Sequence, residues 1–197
     1  MCTSVTMAYC TVEPRVSTTL QRILLATPNM RVDEIVSASL LNALPRHIRE
    51  PFAAMKVVWA DNRSWGESFQ WGAKSVTVGH RRGDHLATHP HLFGIDPRDA
   101  EAILCTQIEG TILHELGHAL LDVALAKNPN IMRECVRLMK TEGTLSTYVG
   151  HDKRMSEADK AHEAFAEAFR YALHQDKKLM GQYPGWNELV GSVIALT

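Results

Sequence analysis

Cysteine is scarce in this chain, and dense runs of positive charge and long apolar runs are both missing. Its four cysteines, Cys2, Cys10, Cys105 and Cys135, are widely spread and form no CxxC pair. The sequence therefore predicts neither a disulfide framework nor a thiolate zinc site, because both need closely grouped cysteines. We expect the cysteines to be reduced and mostly structural.

Charge and apolar patterning argue against two classes of partner. Lys and Arg number 21 against 22 Asp and Glu, and no basic run is dense enough to follow a phosphate backbone. No stretch of about 18 apolar residues occurs, and residues 1–16 lack a basic start followed by an apolar segment. We therefore expect no nucleic-acid partner, no membrane partner and a cytoplasmic location as synthesised, with export by a non-classical route left open.

The length of 197 residues, 45% of them hydrophobic, is ordinary for one domain with a single core, so we predict one domain over residues 1–197. Residues 1–95 are predicted to be mixed, and residues 96–197 to be mainly helical. KVVWA (56–60) and KSVTVG (74–79) are β-branched and partly alternating, which predicts two strands of one small sheet. Apolar residues at helical spacing predict one helix over 31–44, ended by Pro45. The expected fold class is α+β.

In the second half, helix signals and breakers define four predicted helices. The first starts at Asp96 and Pro97 and runs to about Ala126, with a possible interruption at Gly110, and the second spans about 130–140. Ser156 followed by Asp159 resembles a capping signal for the third, and a short fourth helix follows Pro184.

The segment TILHELGHALLD (111–122) has two histidines one helical turn apart, with a glutamate beside the first. Residues i and i+4 lie on one face of a helix, so His114 and His118 can bind one metal ion. Glu115 lies about 100° around the helix from His114, where it can reach an activated water without being a ligand, as a general base does. HExxH would arise by chance roughly 0.03 times in a chain of this composition.

A catalytic zinc has three protein ligands and one open position, so a third ligand is needed. The pattern with a third histidine is excluded, because position 121 is Leu and position 124 is Ala. HEAFAEAF (162–169) instead offers Glu163 and Glu167 one turn apart on an otherwise apolar helix. The alternative is that both carboxylates are solvated and paired with Lys160 and Arg170.

HELGHAL followed by EAFAEAF, with Glu163 placed 45 residues after His118, resembles the gluzincin metallopeptidases of the anthrax lethal factor and Pro-Pro endopeptidase group, over roughly residues 105–172. The resemblance implies a zincin-like fold and one zinc ion per chain bound by His114, His118 and Glu163. It places Glu167 in the outer shell of the metal, where Asp122 is a weaker candidate.

The same resemblance assigns the donor that stabilises the oxyanion to a tyrosine before the second motif, which matches Tyr148, with His151 as a rival. It also implies that KSVTVG is an edge strand on which an extended substrate pairs. The implied activity is a zinc endopeptidase acting on a protein or peptide substrate, with Glu115 as general base for a zinc-activated water.

Two other functions remain as alternatives. A cytoplasmic regulatory metallopeptidase similar to the repressor-cleaving proteins of mobile elements would share HExxH and a later acidic helix. A zinc-stabilised binding domain would keep the metal without catalysis, although an intact Glu115 argues against it. Five other histidines are interpreted separately from the zinc site. His162 is expected to point away from the Glu163 face. The others are expected to be exposed loop residues, with binding of a second metal as the alternative, namely His80, His85, His89 and His91.

Overall fold

The computed structural model describes residues 30–60, 75–79, 100–146, 149, 154–173 and 180–197. Within these ranges the fold is mostly helical, with a small two-stranded sheet. In chain order the elements are α1 (Val32–Ile35), α2 (Ala38–Asn42), α3 (Arg46–Ala53), β1 (Lys56–Ala60), β2 (Ser75–Gly79), α4 (Ala100–Lys127), α5 (Asn130–Thr141), α6 (Glu157–Leu173) and α7 (Pro184–Leu196). This combination of helices with a small sheet is compatible with the predicted α+β class.

The two predicted strands do form one sheet. β1 and β2 are parallel and in register from Lys56 opposite Ser75 to Ala60 opposite Gly79. At its start, β1 also forms an antiparallel bridge with Arg31. Val57 and Val76 face each other across the sheet and are buried, as the β-branched pattern predicts.

The single helix predicted over 31–44 is wrong. The backbone of Val36 is extended (φ −79°, ψ 130°), and this residue separates α1 from α2. The apolar spacing survives the break, since Val32, Val36 and Leu40 are all buried. Helical spacing therefore marked the buried face correctly without showing that the chain bends between two short helices.

The helix α3, immediately after Pro45, was not predicted. Pro45 is its N-cap residue, so the proline that was expected only to stop a helix also begins the next one. Ile48 and Phe52, one turn apart, are fully buried and fix this helix against the core. That spacing is a signal in the sequence that could have predicted α3.

The helix α4 is continuous through Gly110, so the predicted interruption there is wrong. All residues from 110 to 121 are buried, and the helix is enclosed on every side for about three turns. A glycine costs a helix only about 1 kcal/mol relative to alanine. Burial of the surrounding apolar side chains, among them Ile112, Leu116 and Leu120, outweighs that cost.

α4 packs mainly against α6, and α5 and α7 also pack against α6. The predicted cap at the start of α6 is confirmed. The Ser156 hydroxyl accepts from the Asp159 backbone N–H at 3.1 Å, and the Asp159 carboxylate accepts from the Ser156 backbone N–H at 3.2 Å. α5 ends at Thr141, and Gly143, with φ at 84°, turns the chain away in a left-handed conformation that favours glycine.

Among the described helices, none has both the length and the apolar character that crossing a bilayer requires. Cys135 is a buried free thiol on α5, and burial raises its pKa to about 12. Within the described residues, the expectation of reduced, structural cysteines is therefore met at Cys135.

Candidate metal centre

His114, His118 and Glu163 bring their ligand atoms together between α4 and α6. The two Nε2 atoms lie 3.0 Å apart. Glu163 presents Oε2 at 3.1 Å from Nε2 of His114, and Oε1 at 3.5 Å from Nε2 of His118. The histidines are buried and the Glu163 side chain is 18% exposed. These three residues form a group that could hold a metal ion.

The donor set and its spacing fit a tetrahedral ion. Nitrogen and oxygen ligands about 2.0–2.2 Å from a tetrahedral zinc lie roughly 3.3–3.5 Å from one another. The two nitrogens are 3.0 Å apart, and Glu163 approaches them through different oxygens, with Oε2 at 3.1 Å from His114 and Oε1 at 3.5 Å from His118. Two imidazoles and one carboxylate suit zinc. The group found among the described residues has three members, the number of protein ligands in a catalytic zinc site.

Glu167 contacts the ring nitrogen of His114 that faces away from Glu163. Nδ1–H of His114 donates to Oε1 of Glu167 at 2.8 Å, and Nε2 on the other side of the ring faces Glu163. The other carboxylate oxygen of Glu167 accepts from Nη2 of Arg170 at 2.7 Å. Glu167 is buried, so the alternative in which both carboxylates are solvated is wrong for Glu167, although the suggested pairing with Arg170 does occur.

The site is electrostatically coupled. Burial lowers the pKa of His114, but its contacts with Glu163 and Glu167 outweigh burial and raise that pKa to about 9. Burial raises the pKa of Glu163, yet its close contacts with the imidazoles of His114 and His118 hold that pKa well below its usual range. For Glu167, burial is likewise outweighed, here by Arg170 and His114, which lower its pKa to about 2. The two carboxylates therefore favour a positive charge on His114.

His162 was predicted to point away from the site, and this is wrong. Its Nδ1 lies 2.7 Å from Nδ1 of His118, and its Nε2 lies 2.9 Å from Oδ1 of Asp122. Asp122, a weak candidate for the outer shell, thus reaches His118 only through His162. Because α4 and α6 pack side by side, two successive α6 residues contact His118. One sequence signal was available, since Asp122 follows His118 by one helical turn on the same face.

Contacts between α4 and α6 run in opposite chain order, which shows that the helices are antiparallel at the site. His114 contacts Glu167, whereas His118 contacts Glu163 and His162. Gly117, between the two histidines in sequence, allows the close approach: a Cβ there would lie 3.0 Å from Cα of Ala166. Only a residue without a side chain fits this contact without displacement of α6.

Glu115, the predicted general base, is buried on α4 and follows His114 directly in the chain, and its role remains a prediction. Tyr148 and His151, the two predicted oxyanion donors, lie outside the described residues, so their roles remain predictions. The four loop histidines at positions 80, 85, 89 and 91 also fall outside them.

Comparison of the chain with models of protein families, with curated proteins and with solved structures finds no match.

Proposed function

We propose that this chain is a zinc-dependent endopeptidase of the gluzincin type, with a zincin-like arrangement of α4 and α6. The observation that carries the proposal is the convergence of Nε2 of His114, Nε2 of His118 and the carboxylate of Glu163 within 3.0–3.5 Å of one another. A second support is the hydrogen bond from His114 to buried Glu167, which orients a ligand histidine as outer-shell carboxylates do.

A zinc ion bound here would lower the pKa of a water ligand towards about 7 and polarise the carbonyl of a peptide. Glu115 would take the proton of the attacking water and deliver it to the leaving amine. Its place next to His114 on the same helix supports this role, and burial shields its carboxylate from bulk water. Tyr148, with His151 as the alternative, would donate a hydrogen bond to the oxyanion that develops on the substrate.

The number of ligands favours catalysis over a purely structural zinc. Structural zinc sites are closed by four protein ligands, whereas the group found in the described part of the chain has three. A buried glutamate adjacent to a ligand has a use in hydrolysis, whereas a structural zinc requires none. Both observations support the peptidase over a zinc-stabilised binding domain.

Metal removal and return test the proposal. The purified protein is stripped with a chelator, zinc is returned in increments, and digestion of an unstructured peptide library is followed by mass spectrometry. We expect cleavage to be lost on stripping and to return with one equivalent of zinc per chain. Binding of one equivalent with no peptide cleaved would contradict the peptidase and favour the binding domain. Failure to bind zinc would contradict both.

A further inference from the structure

The second ring nitrogens of the two ligand histidines have different partners. His114 donates to a buried carboxylate, Glu167, whereas the corresponding nitrogen of His118 meets another imidazole, that of His162. The environment of His118 therefore differs from that of His114, although both belong to one HExxH segment.

The contact between His118 and His162 is a hydrogen bond in the plane of the rings. The ring planes lie within 8° of parallel and the ring centroids are 4.7 Å apart, yet the two Nδ1 atoms are only 2.7 Å apart. Rings packed face to face cannot bring any two atoms closer than roughly 3.5 Å, the contact distance between stacked carbons. The rings therefore meet edge to edge, and one Nδ1 donates to the other.

The direction of this bond follows from Asp122. Its carboxylate can only accept, so Nε2 of His162, at 2.9 Å, must carry the proton of that hydrogen bond. A neutral imidazole with a proton on Nε2 has a lone pair on Nδ1. Nδ1 of His162 is thus the acceptor, and Nδ1–H of His118 is the donor.

This hydrogen bond determines the protonation of Nε2, on the other side of the His118 ring. With its proton on Nδ1, neutral His118 has a free lone pair on Nε2, the atom that faces His114 and Glu163. The opposite tautomer would place a proton where a metal ion would bind. His162 itself cannot share that ion through Nδ1, because Nδ1 and Nε2 of His118 face opposite ways.

We propose that His162 is a positioning residue for the metal centre, which holds His118 in the Nδ1–H tautomer and in the ring orientation that ligation needs. Asp122 supports it by selecting the tautomer of His162. We expect His162 to affect zinc binding more than Asp122 does. The His162 side chain is 24% exposed, whereas that of Asp122 is 61% exposed, so water competes for its hydrogen bond. This inference depends on the metal-binding part of the proposed function and not on peptide hydrolysis.

A matched pair of variants tests the role. Asn and Leu have nearly the same shape, but only Asn offers an oxygen close to the position of Nδ1. We expect His162→Leu to weaken zinc affinity by about 10–100-fold, the usual effect of losing an outer-shell partner, and His162→Asn to recover most of the loss. Asp122→Ala should have a smaller effect than His162→Leu. His47→Ala, which removes an exposed histidine on α3, should leave zinc affinity unchanged.

Zinc affinity is measured by competition with a chromophoric chelator, and ¹⁵N spectra of the histidine rings in the metal-free protein report the tautomer. His118 should be in the Nδ1–H form in the unsubstituted protein and in His162→Asn, and should gain the Nε2–H form in His162→Leu. Unchanged zinc affinity and an unchanged His118 spectrum in His162→Leu would overturn the positioning role while leaving the zinc site intact. Failure of the unsubstituted protein to bind zinc would overturn the inference together with the metal-binding part of the proposed function.

Discussion

Gly117 on α4 faces Ala166 on α6 so closely that a Cβ at position 117 would lie 3.0 Å from Cα of Ala166. The same added atom would lie 3.2 Å from Cβ of Phe169 and 3.3 Å from its ring. These contacts set the spacing of the two helices that carry the ligands. The fold and the metal centre are thus linked through one residue of the HELGH segment.

Gly117→Ala should weaken zinc binding. Alanine favours a helix over glycine by about 1 kcal/mol, but overpacking costs typically about 1–3 kcal/mol and is relieved only by displacing α6 and with it Glu163. We expect lower zinc affinity and an unchanged or lower free energy of unfolding. Calorimetric zinc titration and thermal unfolding measure both quantities.

Gly191→Ala on α7 is the matched control, because a Cβ at that position would meet no atom of the described residues within 4 Å apart from the backbone of its own helix. It should raise the free energy of unfolding by up to about 1 kcal/mol and leave zinc affinity unchanged. If both glycine variants bound zinc like the unsubstituted protein, the close approach at Gly117 would not be what positions Glu163.

Glu163 and Glu167 should differ in their effect on metal content. Glu163→Ala removes a ligand and leaves two, so most of the bound zinc should be lost. Glu167→Ala removes only the acceptor for His114, which should cost about 10–100-fold in affinity, and Glu167→Gln, which keeps an acceptor oxygen, should cost less. Metal analysis of the dialysed variants shows how much zinc each one retains. Zinc loss in Glu167→Ala with retention in Glu163→Ala would show that the ligand is one turn further along α6.

Zinc affinity should rise with pH. The metal must displace the proton on His114, whose pKa in the metal-free protein is raised to about 9. The apparent affinity should therefore fall by about tenfold for each pH unit below that value, for the one proton released. Competition titrations from about pH 6.5 to 8.5 check this slope, and a flat profile would show that no proton is displaced.

The stability of the metal-free protein should change with pH in the opposite direction. The pKa of His114 is raised from 6.5 to about 9 on folding, so its ion pairs stabilise fully below about 6.5. That contribution is lost as the pH rises through about 9. Denaturant unfolding of the metal-free protein should therefore show a decline over this window, and Glu167→Gln, which removes one of the two carboxylates, should reduce it.

The grouping of His114 with His118 and the cap at Ser156 could be predicted from the sequence because these contacts follow local helical spacing. His114 and His118 share a helix face by their separation alone, and the cap joins Ser156 to Asp159, three positions later. His162 could not be assigned this way. Its contact with His118 depends on how α4 and α6 lie against each other, and that arrangement is fixed by side-chain packing over the whole core.

The break between α1 and α2 has a similar origin. Local spacing showed which residues are buried, but the bend at Val36 depends on contacts with distant parts of the chain. One such contact joins the backbone N–H of Ser37 to the side chain of Glu109, 72 residues later. No local pattern contains that information.

The predicted oxyanion donor can be tested by Tyr148→Phe, which removes one hydroxyl and keeps the ring. If Tyr148 donates to the oxyanion, kcat should fall by about 10²–10³, while KM and zinc content change little. His151→Ala is the paired variant and should retain most of the activity. A normal kcat for Tyr148→Phe together with its loss in His151→Ala would transfer the role to His151.

Replacement of the general base, Glu115→Gln, tests the central claim most directly. Gln is nearly isosteric with Glu and cannot accept the proton, and the three ligands are untouched, so the variant should fold and bind one zinc per chain. The decisive measurement is the rate of peptide cleavage by zinc-loaded Glu115→Gln relative to the unsubstituted protein, with zinc content determined on the same samples. We predict full zinc occupancy with a rate lower by at least about 10²-fold, the lower end of what general base catalysis contributes. An equal rate at equal zinc occupancy would contradict the proposed peptidase mechanism.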